Sequence, residues 1–258
     1  MNIAFDSAQP FAAPSWALMG FEPVRAAWEY AGMRMMDKSR LPPGDGHPVV
    51  LFPGLASDKH AIGPLKPFCD NLGYAACDWG RGFNRGPEGD PEVWLDELAQ
   101  DIQARVSMRA ESISLVGWSL GGIYAREVAK RLPGRVRQVV TIGTPFAGST
   151  RQTNAGLVYR LLNGSEPVID LAMSESLRTA PNVPTTSIYS LSDGVVAWQA
   201  CIQPGDRADT ENIEVAGSHC GLGWNAEVFG VLADRLSQPQ GAWQRYAPRA
   251  SVIDRSVS

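Results

Sequence analysis

Gly117-Trp118-Ser119-Leu120-Gly121 sets a serine between two glycines, each two residues away. A hydroxyl becomes a competent nucleophile only when a nearby base removes its proton. The glycine spacing has a steric meaning. A serine at the apex of a sharp strand-to-helix turn crowds its neighbours, and side chains two residues before and after would not fit. The chain has three histidines, His47, His60 and His219. With a nucleophile on such a turn, the acid and then the histidine follow it along the chain. That order excludes His47 and His60 and selects His219, in the glycine-rich segment Ser218-His219-Cys220-Gly221-Leu222-Gly223. Asp193, in Ser192-Asp193-Gly194, is the acid expected to orient His219, with Asp206 and Asp209 as rivals in the next loop. Acyl transfer also requires donors aimed at a developing oxyanion. The backbone amides of Leu120, directly after the serine, and Leu55, in Phe52-Pro53-Gly54-Leu55, are the candidates.

These residues need elements to position them. Short apolar runs at 49–52, 74–79, 112–117, 136–142, 185–191 and 212–216 read as strands, and helical patterns fall at 61–72, 90–109, 120–132 and 226–236. Strands that are apolar throughout and alternate with helices predict one α/β domain over 1–258, with a mostly parallel central sheet and helices on both faces. Residues 1–47 read as an N-terminal extension. Within it, Val24, Ala27, Trp28, Ala31 and Met35 recur at helical spacing and predict an amphipathic helix, Glu22 to Met36, lying against the core. Residues 146–182 sit where a small helical cap would be inserted, with Leu157, Val158, Leu161, Leu162, Val168, Ile169, Leu171 and Met173 as its apolar material.

Composition narrows the class. In 258 residues, 44% are hydrophobic and 19% charged, which excludes a disordered chain. With 23 basic against 27 acidic residues the net charge is −4, so there is no electrostatic case for nucleic acid or an anionic membrane surface as partner. No window is apolar enough for a membrane helix, and the start lacks a basic segment ahead of an apolar run, an expectation of cytoplasmic location without integral membrane association. Four cysteines, Cys69, Cys77, Cys201 and Cys220, lack metal-ligand spacing and read as buried thiols. A Cys201–Cys220 disulfide would pin the His219 loop, but presumes an oxidising compartment. GRGFNRG (80–86) does not fit a dinucleotide-binding pattern and reads as a rim loop with solvated Arg81 and Arg85. Trp79, Trp118, Trp198 and Trp224 fall near the same loops, as cleft-lining candidates.

Taken with GTPFAGS (143–149), SDGVV (192–196), GSHCGLGWN (217–225) and LFPGL (51–55), the serine motif VGWSLGG (116–122) resembles the α/β-hydrolase superfamily, in particular bacterial lipases and esterases. Many such relatives carry His-Gly where this chain has Pro53-Gly54. The resemblance implies the α/β-hydrolase fold and a Ser119–His219–Asp193 triad that cleaves carboxylic esters through an acyl-enzyme. It implies no cofactor and no metal, and a small-molecule or lipid-like ester as substrate. A transacylase, thioesterase, amidase or polyester depolymerase would use the same triad, and a hydrolase-like binding protein would lack one of its members. Oligomeric state has no signature in the sequence.

Overall fold

The computed structural model describes residues 12–106, 111–147 and 171–247. In chain order the elements are α1 (Trp16–Met35), β1 (Pro48–Phe52), α2 (Leu65–Leu72), β2 (Ala75–Asp78), α3 (Pro91–Val106), β3 (Ile113–Trp118) and α4 (Leu120–Arg131). There follow β4 (Val136–Ile142), α5 (Leu171–Arg178), β5 (Thr185–Tyr189), β6 (Thr210–Glu214) and α6 (Ala226–Leu236). All six strands form one parallel sheet in the order β2-β1-β3-β4-β5-β6, as the apolar strand patterns predict.

The two-residue period of a strand sorts the core into two layers. Val49 and Leu51 of β1 join Leu65 and Phe68 of α2 and Phe229 and Leu232 of α6 on one face. Val50 and Phe52 join Leu98 and Ile102 of α3 and Tyr124 and Val128 of α4 on the other. β1 pairs with β2 on one side and β3 on the other, so the chain winds outward from β1 and then returns past it. At such a reversal the loops leaving the carboxyl ends of the strands diverge and open a crevice. The pairing of Phe52 with Gly117 brings the segment after β1 alongside the turn after β3.

β4 and α6 have the boundaries expected, while α2 begins at Leu65 because residues 59–64 form turns. The six apolar cap candidates between Leu157 and Ile169 lie outside the described residues; α5 is the described part of that insertion. Among the described residues no helix is long and apolar enough to cross a membrane.

The N-terminal helix overturns its expectation in two ways. It starts six residues earlier than Glu22, at Trp16, with Ser15 as N-cap accepting from the Leu18 amide. Its orientation is also the reverse of the one expected. Val24, Trp28 and Met35 are exposed, at 57%, 75% and 86%, whereas Glu22, Ala26 and Met33 are buried. The reason is what the inner face meets: Glu22 and Glu29 face loop backbone, which offers amide donors, while Met33 reaches the apolar core. Trp28→Lys should therefore leave the melting temperature nearly unchanged, within about 0.5 kcal/mol of stability, whereas Met33→Lys should cost several-fold more. Thermal denaturation of the two variants checks this, and the opposite ranking would refute the orientation of α1.

Candidate active site

Ser119 sits between β3 and α4 with φ 53° and ψ −125°, a backbone conformation that costs a residue with a Cβ roughly 1–3 kcal/mol. Close packing leaves the turn nowhere else to go. A Cβ on Gly121 would run into the Phe52 carbonyl of β1, and one on Gly117 into the backbone of Gly121 and Gly122. The Ser119 amide is tied to the Ile142 carbonyl at 2.8 Å, anchoring the turn to the end of β4. The serine thus stands at the carboxyl edge of the sheet, above the first turn of α4.

His219 Nε2 lies 3.0 Å from Ser119 Oγ, and His219 Nδ1 lies 2.6 Å from Asp193 Oδ2. A carboxylate only accepts, so Nδ1 carries the proton and Nε2 is left to accept from the serine hydroxyl. The other Asp193 oxygen accepts from the Val195 and Val196 amides at 2.8 and 2.7 Å, which fixes the carboxylate plane. Trp118 Nε1 donates to the His219 carbonyl at 3.1 Å, and its ring lies 5.9 Å from the imidazole. Asp193, Ser119 and His219 are 4%, 7% and 5% exposed, so their mutual interactions are weakly screened. Burial works to lower the pKa of His219, but the charge and hydrogen bond of Asp193, joined by the charge of Glu22, outweigh it and hold the pKa above the ordinary 6.5.

The rejected histidines are engaged elsewhere. His47 is buried against Asp45 and Ser114 Oγ, and His60 is exposed beside Asp58. Asp209 is held by Arg207, and Asp206 is exposed. The four cysteines are free thiols. Burial pushes the Cys220 thiol up to about 12, with Glu22 adding to the effect, so it is no rival nucleophile at neutral pH.

Leu120 is the first residue of α4, where backbone amides lack intrahelical acceptors, and Leu55 lies on the loop beside it. The close approach is at Gly54, where a Cβ would stand 3.2 Å from the Cβ of Ser119. That loop is braced by Asn84, fully buried, whose Nδ2 donates to the Pro53 carbonyl and whose carbonyl accepts from the Ala56 amide. The GRGFNRG segment therefore braces this loop through Asn84, and its Arg85 is exposed, as expected. Its Arg81 pairs with Asp101 at 2.7 Å and stacks over Trp94. Trp79 is core, stacked on Tyr124, and Trp224 donates to the Ala26 carbonyl of α1. Sequence reasoning missed Asn84, Glu22 and Glu29; only a polar residue recurring with helical period among apolar ones signalled the last two.

No family model matches the chain. Over 107 residues it is 31% identical to serine hydrolase BPHL of Mus musculus, covering 39% of this chain and 37% of that protein. Over 179 residues it is 24% identical to the pimeloyl-(acyl-carrier protein) methyl ester esterase of Aeromonas hydrophila, covering 66% of each. The chain thus spans less than two thirds of either relative. Among solved structures, Bacillus licheniformis lipase BlEst2 in mature form aligns with a TM-score of 0.55 at 18% identity, over 78% of this chain and 96% of that one. Mouse alpha/beta hydrolase domain-containing protein 10 aligns at 0.50 and 18% identity, over 78% and 98%.

The strained turn yields a stability test. Ser119→Gly should melt above Ser119→Ala by about 1 kcal/mol, or ~2–4 °C, because only glycine relieves the positive φ. Equal melting temperatures would mean that the turn is unstrained. The chain shares its fold with these solved hydrolase and lipase structures.

Proposed function

We propose that this chain is a serine hydrolase that cleaves carboxylic esters through an acyl-enzyme. The observation that carries the reading is the unbroken relay from Ser119 Oγ to His219 to Asp193, at 3.0 and 2.6 Å. His219 takes the Ser119 proton as Oγ attacks the acyl carbon. The amides of Leu120 and Leu55 receive the oxyanion. The carbon–oxygen bond to the alcohol then breaks, and His219 returns its proton to the leaving oxygen. Water repeats the steps on the acyl-enzyme, losing its proton to His219, and releases the acid with Ser119 restored. Asp193 keeps Nδ1 protonated and stabilises the transient imidazolium. The names of the relatives, a serine hydrolase and a methyl ester esterase, support the same chemistry.

Steady-state hydrolysis of p-nitrophenyl esters of increasing acyl length tests the reading. Ser119→Ala and His219→Ala should each lower kcat/KM by at least ~10^3-fold, and Asp193→Asn by roughly 10^3- to 10^4-fold. His47→Ala and His60→Ala should retain turnover, and retention of activity by Ser119→Ala would refute the nucleophile. The pH profile carries a sign. His219 must be neutral to accept the proton, so the rate falls as pH drops through its pKa. Since that pKa stands above 6.5, the acid limb of kcat/KM should have its midpoint above pH 6.5. A midpoint at or below the ordinary value would contradict the electrostatic arrangement.

A further inference from the structure

Glu22 of α1 is 3% exposed, deep for a carboxylate, and it faces backbone. Its Oε1 accepts from the Gly194 amide at 2.8 Å and from the His219 amide at 3.0 Å, while Oε2 accepts from the Cys220 amide at 2.8 Å. Gly194 follows Asp193 directly. One side chain therefore grips the loop of the acid and the loop of the histidine at once, one residue from each functional group or at the residue itself. Its neighbours on the helix act on the same two loops. Arg25, 3.8 Å from Glu22, donates to the carbonyl and hydroxyl of Ser192, at 2.6 and 2.7 Å. Glu29 accepts from the Ser218 amide at 2.7 Å.

The fit is close enough to exclude simple packing as the whole account. A Cβ on Gly194 would stand 2.7 Å from the Leu18 backbone, and one on Gly221 would collide with the Glu29 carboxylate. The donor pattern also selects a carboxylate. Three N–H groups converge on two oxygens, so a glutamine would turn an NH2 toward at least one donor and leave an amide unpaired.

We infer that Glu22 is a positioning residue: by receiving amides from both loops it holds Asp193 and His219 in line with Ser119. This rests on the serine-hydrolase reading above. Glu22 touches no reacting atom and acts through the two loops. The charges acting on His219 are Asp193 and Glu22; Glu29 and Arg25 of α1 bind Ser218, beside His219, and Ser192, beside Asp193, and Cys220 is the adjoining thiol.

Glu22→Gln tests the inference on the full chain. The expected result is a fall in kcat of about 10- to 100-fold with KM within about twofold, since misalignment weakens turnover rather than ground-state binding. Removing a negative charge beside the imidazole should also shift the acid limb of kcat/KM to lower pH, a change that a merely structural contact would not produce. Fluorophosphonate labelling of Ser119 should slow in parallel. A folded Glu22→Gln protein with unaltered kcat, acid limb and labelling rate would overturn the inference. If circular dichroism finds Glu22→Gln unfolded, Arg25→Met decides, being at a half-buried site: a several-fold loss of kcat at constant KM supports positioning from α1, and unchanged kcat overturns it. The two readings separate cleanly. Wild type that labels at Ser119 as fast as the variant defeats the role of Glu22 alone, whereas wild type that does not label at Ser119 defeats both.

Discussion

The whole arrangement hangs on the backbone at Ser119. A residue with a Cβ is held at φ 53° because β3, α4 and the loop after β1 meet with glycine-sized clearances. The strain of roughly 1–3 kcal/mol is offset by the packing of β3 and α4, both continuous with the core. Once that turn is set, the direction of Oγ, the amides at the head of α4 and the position from which a base must approach all follow. The sheet is the rigid reference, and its reversal at β1 and β3 lies beside this serine.

The second organising theme is the supply of N–H donors to buried anions. Asp193 receives two amides and the imidazole; Glu22 receives three amides. Burying a polar group is costly unless it is hydrogen-bonded. Here the backbone of two loops supplies donors to both, and in the proposed reaction the charges of Asp193 and Glu22 favour the imidazolium. Strand-end loops and an outlying helix thereby contribute to one electrostatic unit.

Much of this was legible in the sequence, for reasons that can be stated residue by residue. Buried parallel strands are written as continuous apolar runs, so β1, β3 and β4 stood out, and Gly117 and Gly121 announced the turn because only glycine fits there. Chain order singles out His219, while Asp193 is favoured over Asp206 and Asp209 by its place on the loop after β5. What stayed hidden depended on tertiary contact. In α1 the apolar period predicts the buried face, yet Trp28 and Met35 are exposed and Glu22 is buried. Hydrophobicity carries no information about a partner surface made of amides. Asn84 was hidden for the same reason: its partners are carbonyls and amides of the loop at Pro53 and Ala56, which no local pattern encodes.

The reach of α1 along the chain has a consequence for assembly. Glu22 and Cys220 are 198 positions apart, and Arg25 and Ser192 are separated by 167. During synthesis the helix emerges long before its partners exist, so its polar face must wait in water while the sheet forms strand by strand. Contacts of such sequence separation are made late, because loop-closure entropy is met only after the intervening core has condensed. The docking of α1 is therefore expected among the last native events, after β5 and β6 have delivered the loops of Asp193 and His219. Folding of the sheet and acquisition of a competent site would then be separable in time.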